Sequence, residues 1–205
     1  MEHYFSKNSS TKDEIKLIEY YIVDRTFKFY TNNGVFSKSK IDFGSMVLIQ
    51  TVIDDVKNFK DSDIEILDVG CGYGPIGISL ATYLESSKVT MVDVNDRALE
   101  LCKKNTEANN VSDRTTVFMS DTFDNVEKNY DVVVTNPPIR AGKDVVHSIY
   151  EGAYEHLNKD GIIYVVIQKK QGAKSSQEKL EKLFGNCEVI KKKDGYQILR
   201  SIKEN

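Results

Sequence analysis

A run of small residues led by an acid, Leu67-Asp68-Val69-Gly70-Cys71-Gly72-Tyr73-Gly74-Pro75-Ile76-Gly77, is the densest chemical signal in the chain. Glycine tolerates positive φ and lets the backbone approach a ligand with no Cβ in the way. Pro75 suits a first helical turn, where its missing N–H costs little. The run follows an apolar segment and precedes an amphipathic one, the strand–turn–helix setting that gives a glycine loop its meaning. Asp68 discriminates between ligands. In Asp-x-Gly-x-Gly a carboxylate two residues before the first glycine suits an ammonium, directly or through water, and repels a pyrophosphate. A dinucleotide loop would want its third glycine at position 75, where proline stands. Gly70, Cys71 and Gly72 are therefore expected to line a cofactor, with Cys71 a small residue that fits the turn rather than a reactive thiol.

Two further acids fit the same ligand. Asp93, followed by Val94, ends the next apolar run, about 20 residues on, where a carboxylate accepts both ribose hydroxyl protons. Asp121 follows a third run and can accept from an adenine amino group; capping a helix at Thr122 is an equally ordinary role for it.

The second signal is Asn136-Pro137-Pro138-Ile139, at the end of another apolar run. Two prolines fix the backbone and remove donors, which leaves carbonyls free to accept. An exocyclic amino group conjugated with a base is a poor nucleophile. The Asn136 side-chain oxygen and the Pro137 carbonyl can accept its N–H groups and hold its lone pair toward an activated methyl group on the glycine loop. The same acceptors ease proton loss afterwards. Asn136, Pro137 and Pro138 are the expected catalytic set, with Asn136 touching the cofactor too; a bare Pro-Pro turn is the alternative.

Apolar runs alternating with amphipathic stretches position these signals, the pattern of βαβ units. Strands are predicted at Glu65–Val69, Lys88–Asp93, Thr115–Phe118, Asp131–Thr135 and Ile162–Gln168. They are short, β-branched and apolar on both faces, as buried parallel strands are. Helices are predicted at Ile76–Leu84, Arg97–Asn109, Lys143–Leu157 and Ser176–Phe184, with another from about Ser45 to Val56. Cys187–Lys193 and Tyr196–Ile202 flank Asp194-Gly195 and read as a hairpin. Toward the N-terminus, Phe27–Thr31 and Val35–Phe36 are expected to pair around Asn33-Gly34. The layout is α/β: a Rossmann-like class I methyltransferase fold, with a seven-stranded, mostly parallel sheet, helices on both faces and a C-terminal antiparallel hairpin. A dehydrogenase domain would end in another parallel strand. One domain is expected, 46–205, with 1–45 an extension packed on it.

The two motifs in this order resemble the methyltransferase small domain family and, within it, the RsmC-like rRNA guanine-N2 methyltransferases. Tyr4-Phe5-Ser6, Gly34-Val35-Phe36-Ser37, Ile41-Asp42-Phe43-Gly44-Ser45, Asn136-Pro137-Pro138-Ile139-Arg140-Ala141-Gly142-Lys143 and Gly195-Tyr196 carry the resemblance over nearly the whole chain. It implies S-adenosyl-L-methionine as donor, N2 of a 16S rRNA guanine as acceptor, and Phe36 and Gly44-Ser45 near the cofactor. Two departures matter. Relatives usually place an aromatic residue after Asn-Pro-Pro to stack on the base, and here Ile139 stands there, so Phe36 or Tyr73 would have to serve. Larger members also carry a duplicated N-terminal domain without counterpart here. A lone domain must reach ribosomal RNA or the small subunit through its own surface or a partner chain, for which a homodimer is one arrangement.

Charge bears on that partner without deciding it. The net charge is −3, but from Arg140 onward 13 Lys and Arg face 9 Asp and Glu, so the earlier residues carry a deficit of seven. A basic face for nucleic acid can come only from that last third, where Arg140, Lys143, Lys169, Lys170 and Lys174 are expected to line the approach. Lys191, Lys192 and Lys193 read equally well as a solvated hairpin. Three scattered cysteines without metal spacing, no secretory leader pattern and no apolar run near the roughly 18 residues of a membrane span point to the cytoplasm. His3, His147 and His156 lack ligand spacing. A protein-glutamine or DNA-adenine N-methyltransferase and a non-catalytic RNA-binding module on the same fold are the competing readings.

Overall fold

The computed structural model describes residues 15–32, 41–56 and 63–204. In chain order these form β1 (Lys16–Ile22), β2 (Arg25–Thr31), α1 (Phe43–Val56), β3 (Glu65–Val69), α2 (Pro75–Tyr83), β4 (Lys88–Asp93), α3 (Asp96–Ala108), β5 (Thr115–Met119), β6 (Tyr130–Thr135), α4 (Lys143–His156), β7 (Leu157–Gln168), α5 (Ala173–Phe184), β8 (Glu188–Lys193) and β9 (Tyr196–Ile202). No helix among them is long and apolar enough to cross a membrane.

Seven strands make one sheet in the order β5-β4-β3-β6-β7-β9-β8. Pairing is parallel from β5 through β7 and antiparallel from β7 through β9 to β8. The two-residue period of a strand sorts side chains to opposite faces. Ile66, Met91, Val132, Val134, Tyr164 and Ile198 pack on the side that carries α1, α2, α3 and the β1–β2 hairpin. Leu67, Val92, Val133, Ile163, Val165 and Leu199 pack on the side of α4 and α5. Both faces are covered, which explains why the strands read as continuous apolar runs rather than alternating ones. At the far end Asp194 and Gly195 both take positive φ, 46° and 83°, as a two-residue hairpin turn requires.

The structure departs from expectation at two places. Strand β2 forms, but its partner is the upstream β1, with Ile22 opposite Arg25; Val35–Phe36 and Asn33-Gly34 lie outside the described residues. The β1–β2 turn carries no glycine, and Val23 sits at φ 58°. Its support comes from α2: the Tyr83 hydroxyl lies 2.6 Å from the Ile22 carbonyl and 2.7 Å from Asp24 Oδ1, and accepts the Asp24 N–H at 3.1 Å. Strand β7 also begins five residues before its predicted start. Asp160 at φ 62° marks an irregularity that lets Leu157 pair with Tyr130 before the regular ladder resumes at Ile162.

The hairpin is docked by two amides one helical turn apart on α3. Asn105 Oδ1 accepts the Tyr30 N–H at 2.6 Å, and its Nδ2 donates to the carbonyls of Tyr30 and Tyr73 at 3.0 and 2.8 Å. Asn109 makes the matching pair with Lys28 N–H and carbonyl at 3.1 and 2.8 Å. Side chains four apart on a helix thus imitate a strand edge whose outward groups recur every two residues. Asn105→Ala would leave buried backbone groups unpaired, so unfolding free energy should fall by about 2–4 kcal/mol. Urea denaturation checks this, and a loss under about 1 kcal/mol would make the clamp incidental.

Candidate active site

Strands β3 and β6 lie side by side and parallel, yet the chain leaves them in opposite directions, from β3 through α2 to β4 and from β6 through α4 to β7. Such a reversal opens a crevice beyond the carboxyl ends of the two strands, where doubly wound sheets bind ligands. The ladder sets Val69 beside Thr135 and Val92, so Gly70, Asp93 and Asn136 all emerge at the same rim. Thr135 Oγ1 donates to the Val69 carbonyl at 2.9 Å and ties the two exits together.

On one side of the crevice the glycine loop is held by its own backbone. The N–H groups of Gly70 and Cys71 both donate to the Val92 carbonyl, at 2.9 and 3.0 Å. Gly70 and Gly72 sit at φ 75° and 58°, conformations that disfavour side chains. The Gly72 N–H donates to Asp93 Oδ2 at 2.8 Å, and the Asn95 N–H to Asp93 Oδ1 at 2.9 Å. Each Asp93 oxygen keeps a lone pair for a further donor. Burial raises the Asp93 pKa, against the pull of the N–H groups of Asn95, Gly72 and Val94; Val94 itself is half-buried beside it. Cys71 is buried, and burial together with the neighbouring Cys102 thiol pushes its pKa well up. It is an inert thiol in a tight turn.

Asp68 is fully buried. Its Oδ2 accepts the Gly77 N–H at 2.9 Å, while Oδ1 has no partner among the described residues. The contact needs glycine at 77, because a Cβ there would lie 2.5 Å from Met91 Sδ. Burial pushes the Asp68 carboxyl up to about 7, with the Gly77 hydrogen bond opposing and the Asp93 charge adding. A buried carboxylate with one oxygen unpaired is costly unless a cation or donor reaches it. The loop therefore fits a ligand with an ammonium group. Asp121 is exposed beyond β5, at a turn in which Thr122 takes φ 50° and no helix follows, so it caps none.

Across the crevice, Asn136 Nδ2 donates to Ser45 Oγ at 2.9 Å and to Asp42 Oδ2 at 3.1 Å. A carboxylate can only accept, so the amide nitrogen must face Asp42 and Oδ1 remains as the outward acceptor. Asp42 in turn caps α1, its Oδ2 accepting the Ser45 N–H at 3.1 Å. The Tyr196 hydroxyl lies 3.5 Å from Asp42 Oδ1 and accepts from Gln168 Nε2 at 2.7 Å. Gly44 is the residue that lets Tyr196 close on α1, since a Cβ there would come within 2.6 Å of its ring.

Three expectations are modified. The Pro137 carbonyl is not wholly free: it accepts the Ile139 N–H at 2.9 Å across Pro138 at φ −75°, ψ 80°, an inverse γ-turn. Two prolines remove their own donors but not the next one. The Pro138 carbonyl likewise takes the Ala141 N–H at 2.9 Å. Tyr73 turns away from solvent, 3% exposed and edge-on to Phe29 at 5.9 Å, and presents no open face to a base. Ile139 packs into the core on the α4 side. Phe36 lies outside the described residues. Arg140, Lys143, Lys169, Lys170 and Lys174 are all exposed, on the segments that follow β6 and β7. The residue sequence reasoning undervalued is Asp42, whose signal was an acid directly before a helix.

The model of the methyltransferase small domain family matches residues 26–200. The chain belongs to the methyltransferase small domain family. The protein is 45% identical over 206 residues to "Uncharacterized protein YbxB" of Bacillus subtilis strain 168, covering 98% of both chains. It is 31% identical to ribosomal RNA small subunit methyltransferase C of Citrobacter koseri, covering 90% of this chain and 51% of that one. In fold it is similar to the T. thermophilus 16S rRNA N2 G1207 methyltransferase (RsmC), solved with AdoMet and guanosine. That match has a TM-score of 0.84 at 23% identity and covers 96% of this chain and 52% of the other. The chain thus spans about half the length of these two rRNA methyltransferases. As a member of the family it is an S-adenosylmethionine-dependent methyltransferase.

The free Asp68 Oδ1 and the Asp93 carboxylate are the groups fitted to the donor's ammonium and ribose. Protonated Asp68 cannot pair with an ammonium, so cofactor affinity should be lost as pH falls through about 7. Calorimetric titration is expected to show roughly fivefold tighter binding at pH 7 than at pH 6. Asp68→Asn should bind weakly at both; a flat wild-type profile would remove Asp68 from ammonium recognition.

Proposed function

We propose that the methyl acceptor is the N2 amino group of a guanine in 16S rRNA, presented as RNA or as small subunit in the cytoplasm. The observation that carries this reading is the pinned Asn136 amide, which leaves one carbonyl oxygen at the rim between the glycine loop and the basic segments. Likeness to methyltransferases named for the small-subunit rRNA supports the choice of acceptor. Residues 46–205 form the catalytic domain in this reading, and the extension 1–45 contributes Asp42 and Ser45 to it.

S-adenosylmethionine supplies an electrophilic methyl group on a sulfonium. Everything else falls to the chain. Asn136 Oδ1 accepts one N–H of the planar amino group, and the remaining lone pair of the Pro137 carbonyl accepts the other. Both bonds draw the nitrogen lone pair out of conjugation and fix its direction. As the nitrogen gains positive charge these bonds strengthen, which stabilises the transition state over the ground state. The nitrogen then sheds one proton to water. Asp42 and Ser45 act on Asn136, keeping its oxygen outward so that no reorganisation is needed during transfer.

The test is methyl transfer from labelled S-adenosylmethionine to ribosomal RNA and to small-subunit particles lacking native modifications, followed by nucleoside analysis. N2-methylguanosine is the expected product. Label appearing in protein or DNA would reassign the acceptor, and cofactor binding without any transfer would favour a binding module. Asn136→Ala should reduce turnover at least about 10²-fold, the scale of losing one preorganised polar group, with cofactor affinity retained. A fully active variant would remove the amide from the mechanism.

A further inference from the structure

With Ile139 aliphatic and packed against the core and Tyr73 buried, neither residue offers a base an aromatic stacking surface. An aromatic ring nevertheless stands at the catalytic end. Phe43 is the first residue of α1, directly after the Asp42 that holds Asn136, and it is 40% exposed. Few large apolar side chains among the described residues are so open. Tyr196 packs against it, ring centroids 5.8 Å apart at 55°, and Lys193 Nζ lies over the ring, 5.7 Å from its centroid, where an incoming base would displace it.

Phe43 also stands in a groove of about 910 Å³ that runs along α1 between β1 and β8, with Tyr20 and Gln50 among its lining. Lys191, Lys192 and Lys193 line it too, and none of them meets a carboxylate at ion-pair distance among the described residues. Of the acids in the groove, Asp55 is taken by Arg200 at 2.9 Å and by the Tyr164 hydroxyl at 2.7 Å, at the C-terminal end of α1. Asp54, near that end, accepts from Gln50 at 3.0 Å. The catalytic end of the groove is therefore aromatic and basic, and its remote end is acidic.

Resting on the reading of this protein as an RNA methyltransferase, we propose that Phe43 is the platform on which a base of the substrate RNA stacks beside Asn136. Lys191, Lys192 and Lys193 take the adjoining phosphates at the mouth of the groove. An open ring with cations beside it is how unpaired nucleotides are held, the ring taking the base and the cations the backbone. The platform sits on the helix that caps and orients the amide rather than on the residue after the prolines. Stacking and amino-group capture are thus supplied by adjacent residues, Phe43 and Asp42 through Asn136.

The decisive variant is Phe43→Leu, which keeps an apolar side chain of similar bulk and removes the ring face. Its KM for RNA or small subunits should rise about five- to 150-fold, the range for losing one base–aromatic stack. Cofactor affinity and melting midpoint should stay near wild type, and Phe43→Trp should restore RNA affinity. Tyr21→Ala, which removes a 67% exposed ring on the hairpin, is the control and should change nothing. Lys193→Ala should lower the salt dependence of RNA binding by about one unit of slope. Fluorescence anisotropy with a labelled rRNA fragment reads binding apart from turnover. Wild type and Phe43→Leu methylating and binding RNA equally, or Tyr21→Ala losing as much as Phe43→Leu, would overturn the platform and leave the proposed function standing. A wild-type protein that neither binds nor methylates RNA, and labels a protein instead, would overturn both.

Discussion

The exits of β3 and β6 govern this molecule. Two adjacent parallel strands whose crossovers depart to opposite sides cannot be covered at their carboxyl ends by either crossover, so a crevice is obligatory there. The ladder places Val69 against Thr135, and the Thr135 hydroxyl bonds the Val69 carbonyl, so the loops that follow start from fixed positions. The glycine loop and Asn136 share one rim because the strands beneath them are hydrogen-bonded, with no long lever between.

Three acids, Asp68 and Asp93 buried and Asp42 half-buried, do most of the organising at that rim. Asp93 ties the glycine loop to the end of β4, Asp68 reaches forward to Gly77, and Asp42 caps α1 while holding Asn136. Each accepts backbone N–H groups that would otherwise point at solvent or ligand. Asp93 and Asp42 have both oxygens engaged, the second of Asp42 by Tyr196 at the limit of hydrogen-bond distance. Asp68 alone keeps a buried oxygen unpaired and a pKa near neutrality.

The β1–β2 hairpin is bound into this arrangement by side chains of α2 and of α3 with its C-cap. Asn105 and Asn109 clamp β2, Asn105 also holds the Tyr73 carbonyl of the glycine loop, and Tyr83 holds the β1–β2 turn. Asn105 thereby bonds the hairpin and the glycine loop at once, a single side chain common to both.

What the sequence by itself determined was everything encoded within one element or one turn. β-branched apolar runs placed β3 to β6 to within a residue, Asp194-Gly195 placed the terminal hairpin, and Asp-x-Gly-x-Gly with Asn-Pro-Pro fell at the ends of β3 and β6, because these depend on backbone sterics and burial of local side chains. The β1–β2 pairing was not legible, since Val23-Asp24 carries no turn signal of its own and depends on Tyr83, 59 residues away. Nor was the burial of Tyr73, or the grip of Asp42 on Asn136 across 94 positions. Those are contacts between surfaces that meet only after the sheet has assembled. Local periodicity records which face of an element is buried, but not which distant residue will lie against it, and that the tertiary structure alone decided.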